Sequence, residues 1–341
     1  MDLPTTPPVN DLIEQKTGIR DAAEAFNTDF IYAGADFGSD STLWRAAFEQ
    51  LGYRVPENAE IGGIGIAHIP PAGGSTGAAY HLRQMIHPLE VVTEVKQLEQ
   101  LPWPDLQNPD ADRGLAGRVA EIHRAGKVAL TSSECTVFEF AWYLRGMDNL
   151  FGDLMEENGI AEWLLDWFTE FSSSKVRLSA RAGVDVIGLG DDIGTQRGMM
   201  MSVDFWREHF KPRLKKVIDV IRAAEHHHTW IRYHSDGDIR LVIDDLAEMG
   251  VDILNPVQPE CMPVDQVIAQ HKHHLAFWGM IGTQTTMPFG TPDDVRSAVA
   301  QCARLAREGA ALIVAPTHVL EPDVPWENIK TLVETVRGTT L

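Results

Sequence analysis

Cysteine is scarce in this chain, with only Cys135, Cys261 and Cys302 in 341 residues. Three scattered thiols cannot build a disulfide framework, so a reducing, cytoplasmic setting is expected. Positive charge is also short. Lys and Arg number 29 against 49 Asp and Glu, for a formal net charge of −20. A nucleic-acid binder needs a basic footprint to displace counterions from the phosphate backbone. Adsorption to anionic lipid needs basic residues for the same reason. The composition therefore argues against both partners. No apolar run reaches the roughly 18–20 residues that span a bilayer. The opening MDLPTTPPVNDL has neither the basic nor the apolar stretch of a secretory signal, so none is expected. What is present is ordinary globular composition, over a length that a single α/β barrel can occupy.

The expectation is one barrel domain over 1–341, with the Pro-rich, polar residues 1–16 as a loose arm or the lead-in to a first helix. Residues 59–85 (EIGGIGIAHIPPAGGSTGAAYHLRQMI) are Gly-rich with alternating apolar positions, and read as a hairpin or insertion. No repeat of 20–50 residues interrupts the pattern.

From about residue 117 a regular alternation sets in. Short apolar segments at 127–131, 184–189, 229–233, 251–254, 275–280 and 311–315 alternate with stretches of helical apolar spacing. The helical stretches cover 137–181, 203–225, 239–249, 263–273, 291–308 and 325–337. Thr291-Pro292-Asp293-Asp294 places an N-cap before Pro and two acids, a helix start signal. Strands alternating with helices imply a parallel sheet. With an earlier candidate at 30–33, they suit a closed (β/α)8 TIM barrel. The rival is a doubly wound open sheet, which gathers its ligands at one switch point. Here nearly every apolar segment ends in polar, reactive residues, as the strands of a barrel do around a shared mouth.

Those endings supply the candidate site. His234-Ser235-Asp236 puts an imidazole and a carboxylate two residues apart, so that both can point the same way. Both groups bind metals, and His318, after the last strand, can lie across the same mouth. The alternative is a hydrogen-bonded polar layer without metal. Asp191-Asp192 follows Gly188-x-Gly190. Adjacent carboxylates point to opposite sides, and Asp191 is taken as the one that could serve as a buried acid. The alternative is that it caps the next turn. Glu134, Gln196, Asn255, Gln258 and Gln284 are the expected substrate contacts, with Arg197 beside Gln196. Glu134 could equally cap a helix. Cys261 lacks a local activating cation and is expected to be inert. Gly73 to Gly77 form a weak phosphate-cradle signal without the Walker lysine. His226–His228, His271, His273 and His274 are expected to be solvated. Trp163, Trp167 and Phe171 have the helical spacing of core or interface residues.

Several blocks in order resemble the uroporphyrinogen decarboxylase-like superfamily. They are residues 140–149 (FAWYLRGMDN), 190–212 (GDDIGTQRGMMMSVDFWREHFKP), 234–258, 277–291 (FWGMIGTQTTMPFGT) and 312–329 (LIVAPTHVLEPDVPWENI). The resemblance runs from roughly residue 85 to the end and implies a (β/α)8 barrel. True decarboxylases carry an N-terminal Arg-Gln-Ala-Gly-Arg motif that grips porphyrinogen carboxylates. Residues 28–38 (TDFIYAGADFG), the nearest place for it, are acidic instead.

The chain looks more like the corrinoid-dependent methyltransferase branch. Coenzyme M-type members of that branch hold zinc with His-x-Cys and a distant Cys. This sequence has His234-x-Asp236 and Thr317-His318 at the matching places. The resemblance therefore implies His234, Asp236 and His318 as metal ligands, zinc as the candidate ion, and Asp191, His234, Asp236 and His318 as the catalytic set. Without the two thiolates, the implied substrate is a methoxy- or methylamine-like compound rather than a thiol acceptor. The corrinoid would be cobalamin on a partner protein, since no Asp-x-His-x-x-Gly cobalamin motif occurs in the chain. A homodimer is possible, since two-fold dimers are the commonest oligomers. Two other readings stand beside this one. They are a decarboxylase or lyase acting on a small acid without corrinoid, and a non-catalytic ligand-binding barrel.

Overall fold

A computed structural model of the protein describes residues 1–37, 40–70 and 84–339. Seven parallel strands form one curled sheet. They are β1 (Phe30–Tyr32), β2 (Val128–Ser133), β3 (Val186–Gly190), β4 (Trp230–His234), β5 (Ile253–Asn255), β6 (Ala276–Ile281) and β7 (Leu312–Pro316). Their order in the sheet is their order in the chain. That order has no reversal point, so the doubly wound alternative is excluded. Each strand predicted from an apolar run is present, most of them displaced one or two residues toward the C-terminus. The displacement makes His234 and Asn255 the last residues of their strands.

The curl is visible in the side chains. Phe30, Leu130, Val186, Ile253, Trp278 and Ala315 form a separate apolar cluster inside it. Phe30 of β1 meets Trp278 of β6 with ring centroids 4.3 Å apart, although these strands are far apart in the sheet order. The larger core lies outside the sheet, under the helices. The helix Ile160–Arg181 packs there on Lys211–Ala224. Trp163 and Trp167 stack around Trp103, with centroids at 5.6 and 4.2 Å.

The eight-strand expectation needs correction. Among the described residues the sheet has seven strands, and no ladder joins β7 to β1. The N-terminal segment lies along that gap. The amide of Asp29, just before β1, donates to the carbonyl of Met1, and the Met1 amino group pairs with the Asp29 carboxylate. Thr5 bridges Leu320 in parallel, beyond the end of β7. The Leu320 amide donates to Pro4, and the Thr6 amide donates to Leu320. The segment thus runs in the strand direction with too few bonds to make a strand, because Pro4 has no amide to donate. Residues 1–16 are therefore not a loose arm. Asp2, Leu3 and Thr6 are buried, and helix α1 (Pro7–Thr17) buries Val9 and Ile13. Its prolines sit at the first helical positions, where no amide partner is required.

The Gly-rich insertion holds the short antiparallel strands Glu60–Ile61, Ala67–Ile69 and Gln84–Ile86. The glycines at 73–77 lie outside the described residues. The helical stretch 137–181 is three helices, Phe138–Arg145, Met147–Glu156 and Ile160–Arg181, interrupted at Gly146 and Gly159, both at positive φ. The helix Pro292–Arg307 starts where the sequence signal places it. Thr291 accepts the Asp294 amide, and Asp294 reaches back to the Thr291 amide.

Candidate functional site

The C-terminal ends of β1, β2, β4, β5 and β7, with Trp278 from the middle of β6, surround a cavity of about 80 Å³. Glu134, His234, Asn255 and His318, four of the sequence-predicted residues, line it. So do Asp2, Tyr32, Arg232 and Trp278, which sequence reasoning missed.

His234 is the best-defined group. Its Nδ1 lies 2.8 Å from Asn255 Oδ1. Asn255 in turn donates its Nδ2 to the Trp278 carbonyl at 3.0 Å, which fixes which end of the amide faces the imidazole. An amide oxygen only accepts, so Nδ1 carries a proton, and Nε2 is the nitrogen that holds the lone pair in the neutral imidazole. Nε2 lies 3.7 Å from Asp192 and 3.9 Å from Asp236. The His234 and His318 ring centroids are 6.1 Å apart. One ligand atom each from His234, Asp236 and His318 falls within 4.8 Å of the others. Two imidazoles and one carboxylate are a donor set that zinc accepts, and three protein ligands leave a coordination position open.

The loop behind His234 is tied down at each residue. The Ser235 amide donates to the Asn255 carbonyl, and the Ser235 hydroxyl accepts the Ile193 amide at 3.1 Å. The Asp236 amide donates to Asp192 Oδ1 at 2.7 Å, and the Gly237 amide donates to Gln258 Oε1 at 3.2 Å. At Gly190 a Cβ would lie 2.4 Å from the His234 carbonyl oxygen, so only glycine lets β3 approach β4 this closely.

Of the two adjacent carboxylates, Asp192 rather than Asp191 approaches the imidazole, and the expected role of Asp191 as a pocket acid is corrected. The Asp191 carboxylate turns inward and accepts the amides of Thr136, Val137 and Glu139 at 2.9–3.2 Å. It caps the helix Phe138–Arg145, whose free amides and dipole attract an anion. Burial pushes its pKa up to about 7, against the pull of those amides.

Behind Asp192 lies Glu139, also unanticipated. Its Oε1 accepts the Tyr143 hydroxyl at 2.7 Å and its Oε2 accepts the Asp192 amide at 3.1 Å. Burial, and then the neighbouring Asp192 and Asp191, push its carboxyl up to about 8. No sequence signal marks it as a site residue, because it sits in the first turn of an apolar helix, beyond the end of β2, where an acid reads as a helix-start residue. Cys135 adjoins this group with its thiol pushed well up by burial, and Cys261 is pushed up to about 11. Neither supplies a thiolate nucleophile at neutral pH.

The floor of the cavity is built around Arg232. Its guanidinium pairs with Glu134, lies 4.6 Å from the centre of the Trp278 ring, and is buried with Asp2 and Tyr32 nearby. Gly188, its register partner on β3, leaves room for it, since a Cβ there would meet Arg232 Nη2 at 3.0 Å. Asp2, with its pKa raised by burial, also bonds Trp278. Asn255 and Gln258 therefore act on other side chains and backbone. Gln196 sits exposed between the two-residue strands Gly194–Thr195 and Gly198–Met199, beside exposed Arg197. Gln284 is exposed, with its amide on Glu260. Neither Gln196 nor Gln284 lines the cavity, because both follow the strand ends by several residues.

The family model described as uroporphyrinogen decarboxylase (URO-D) matches residues 70–339. The uroporphyrinogen decarboxylase of Parasynechococcus marenigrum (strain WH8102) is 27% identical over 165 residues, covering 48% of this chain and 44% of that protein. The methylcobamide:CoM methyltransferase MtaA of Methanosarcina barkeri is 25% identical over 211 residues, covering 61% of this chain and 55% of that protein. The chain spans about half the length of the curated relatives it matches. A solved methyltransferase from Methanosarcina mazei shares the fold, with a TM-score of 0.57 at 17% identity over 96% of this chain and 85% of its own. No helix of the described residues is long and apolar enough to cross a membrane.

Proposed function

The chain belongs to the uroporphyrinogen decarboxylase (URO-D) family, and from that premise we propose that it moves a methyl group between a small methylated substrate, of the methoxy or methylamine kind, and a corrinoid cofactor on a partner protein. The observation that carries this reading is that His234 and His318, which line the cavity, come together with Asp236 beside it. The similarity to MtaA, a methylcobamide:CoM methyltransferase, agrees with it. The cavity of about 80 Å³ is too small for a corrin macrocycle, which fits a cofactor presented from outside.

The corrinoid, when bound at the cavity mouth, supplies the cobalt that accepts or donates the methyl group. A zinc ion held by His234, Asp236 and His318 would supply Lewis acidity at the oxygen or nitrogen that loses it. The protein's own residues prepare the site. Asn255 holds the proton on His234 Nδ1 and leaves Nε2 facing Asp192 and Asp236. Ser235 and Asp192 fix the loop that carries Asp236. An alkoxide or phenoxide left by demethylation must take up a proton, and a neutral methylamine must take one up as its C–N bond breaks. Glu139 keeps a proton up to about pH 8 and contacts the Asp192 amide. It is therefore a proton reserve one residue behind the site.

Decarboxylation of a polycarboxylate fits less well. Arg232 is the one Lys or Arg among the described residues lining this cavity, and it is already paired with Glu134.

The test is methyl transfer from a panel of methoxyarenes and methylamines to reduced cobalamin, followed by its absorption spectrum. His234→Ala should lower the rate at least roughly tenfold, below the contribution typical of a positioned acid or base. Unchanged turnover in that variant would remove the assignment.

A further inference from the structure

A second group of metal-ligating side chains lies away from the cavity. Asp244 is in the first turn of the helix Ile243–Met249. His271 ends the helix Val264–His271, and His274 closes the turn after it by donating its amide to the His271 carbonyl. We propose that Asp244, His271 and His274 form a separate binding site for a divalent transition ion, zinc by its donor set, on the outer surface.

Three observations support it. One ligand atom from each residue lies within 4.8 Å of the other two. The two contacts made by His271 Nδ1 are 3.4 Å to His274 Nε2 and 3.3 Å to Asp244 Oδ1. Ligands at 2.0–2.1 Å around a tetrahedral ion stand roughly 3.3–3.4 Å apart, so both edges already match.

The third observation is that His271 Nδ1 faces the His274 ring nitrogen and the Asp244 carboxylate oxygen at once, so the three ligating atoms are gathered around one of them. The site is also partly preorganised. His271 is buried and held at a helix end, while Asp244 and His274 are exposed and reachable. His227 and His228 do not converge in this way. Each meets a different carboxylate, Asp185 or Asp252, at 3.8 and 3.7 Å.

The location gives the ion a structural consequence. Ile243–Met249 precedes β5 and Val264–His271 follows it. A bound ion would tie together the two helices that flank the strand carrying Asn255, the residue that orients His234.

The site is tested independently of the cavity by zinc titration against a chromophoric chelator, using protein that carries His234→Ala and His318→Ala. One zinc per chain should remain. Adding His274→Ala or Asp244→Asn should weaken it at least about tenfold, the low end of what even outer partners of metal ligands contribute. Zinc should raise the unfolding temperature of the parent and not of these variants. In the otherwise unaltered chain, His274→Ala alone should lower the bound zinc from two ions to one. Equal affinity with and without His274 would overturn the proposal, as would loss of binding only on replacing His226–His228.

Discussion

Replacing Asn255 by Leu isolates the part of the site that depends on orientation. The two side chains are close in volume, so the core is not opened. Two hydrogen bonds disappear, at 2.8 Å to His234 Nδ1 and at 3.0 Å to the Trp278 carbonyl. Asn255 is 5% exposed, so water cannot substitute freely. A buried polar group that loses its partner costs about 1–3 kcal/mol. Loss of the Asn255 amide should therefore destabilise the fold by about 2 kcal/mol, with the added apolar burial offsetting part of the double loss. The imidazole also loses the acceptor that fixes its tautomer. Removing such an outer partner typically lowers metal affinity about 10–100-fold. The assay is urea unfolding beside zinc competition, read in the His274→Ala background so that only the cavity site reports. Unchanged stability, together with zinc affinity within about twofold of the parent, would refute the orienting role of Asn255.

Other consequences follow from the same structure. Glu139 has its pKa raised from 4.5 to about 8, so the native state holds a proton that the unfolded state releases. Wild-type stability should accordingly fall as pH rises through that window, and Glu139→Gln should lack this fall, by about 2–4 kcal/mol between pH 5 and 9 in urea unfolding. A variant with the same pH slope as wild type would show that Glu139 is not held protonated. Arg145 and Asp153 form a buried pair at 2.8 Å, with Arg145 also bonded to the Leu89 and Val92 carbonyls. Asp153→Ala should destabilise by about 3–5 kcal/mol because it strands a buried cation, measured by chemical denaturation. Gly190→Ala should cost about 1–3 kcal/mol, since its Cβ would meet the His234 carbonyl oxygen at 2.4 Å, and it should also displace His234 and slow methyl transfer.

Much of the strand pattern could be read from the sequence because short apolar runs bounded by polar residues have few other uses. The ends of β4, β5 and β7 were legible for the same reason, which is why His234, Asn255 and His318 could be named and are found around one cavity. Three features were not legible. The choice between Asp191 and Asp192 depends on which side of the chain the helix Phe138–Arg145 presents its free amides, a tertiary fact. Glu139 and Tyr143 lie on that helix with no local mark of their function. The Pro-rich start hides a segment that lies along the gap between β7 and β1, because the hydrogen bonds that hold it there are to Asp29 and Leu320, distant in sequence. The periodicity also overstated closure, since alternating segments predict the strand type but not whether the last strand pairs with the first.

The central claim, that His234, Asp236 and His318 form one metal centre at the cavity, is tested most directly by elemental analysis of zinc-loaded protein. His234→Ala and His318→Ala should each lose the same single ion relative to wild type, while His274→Ala retains it and loses the other. Full zinc content in folded His234→Ala and His318→Ala proteins would contradict the account.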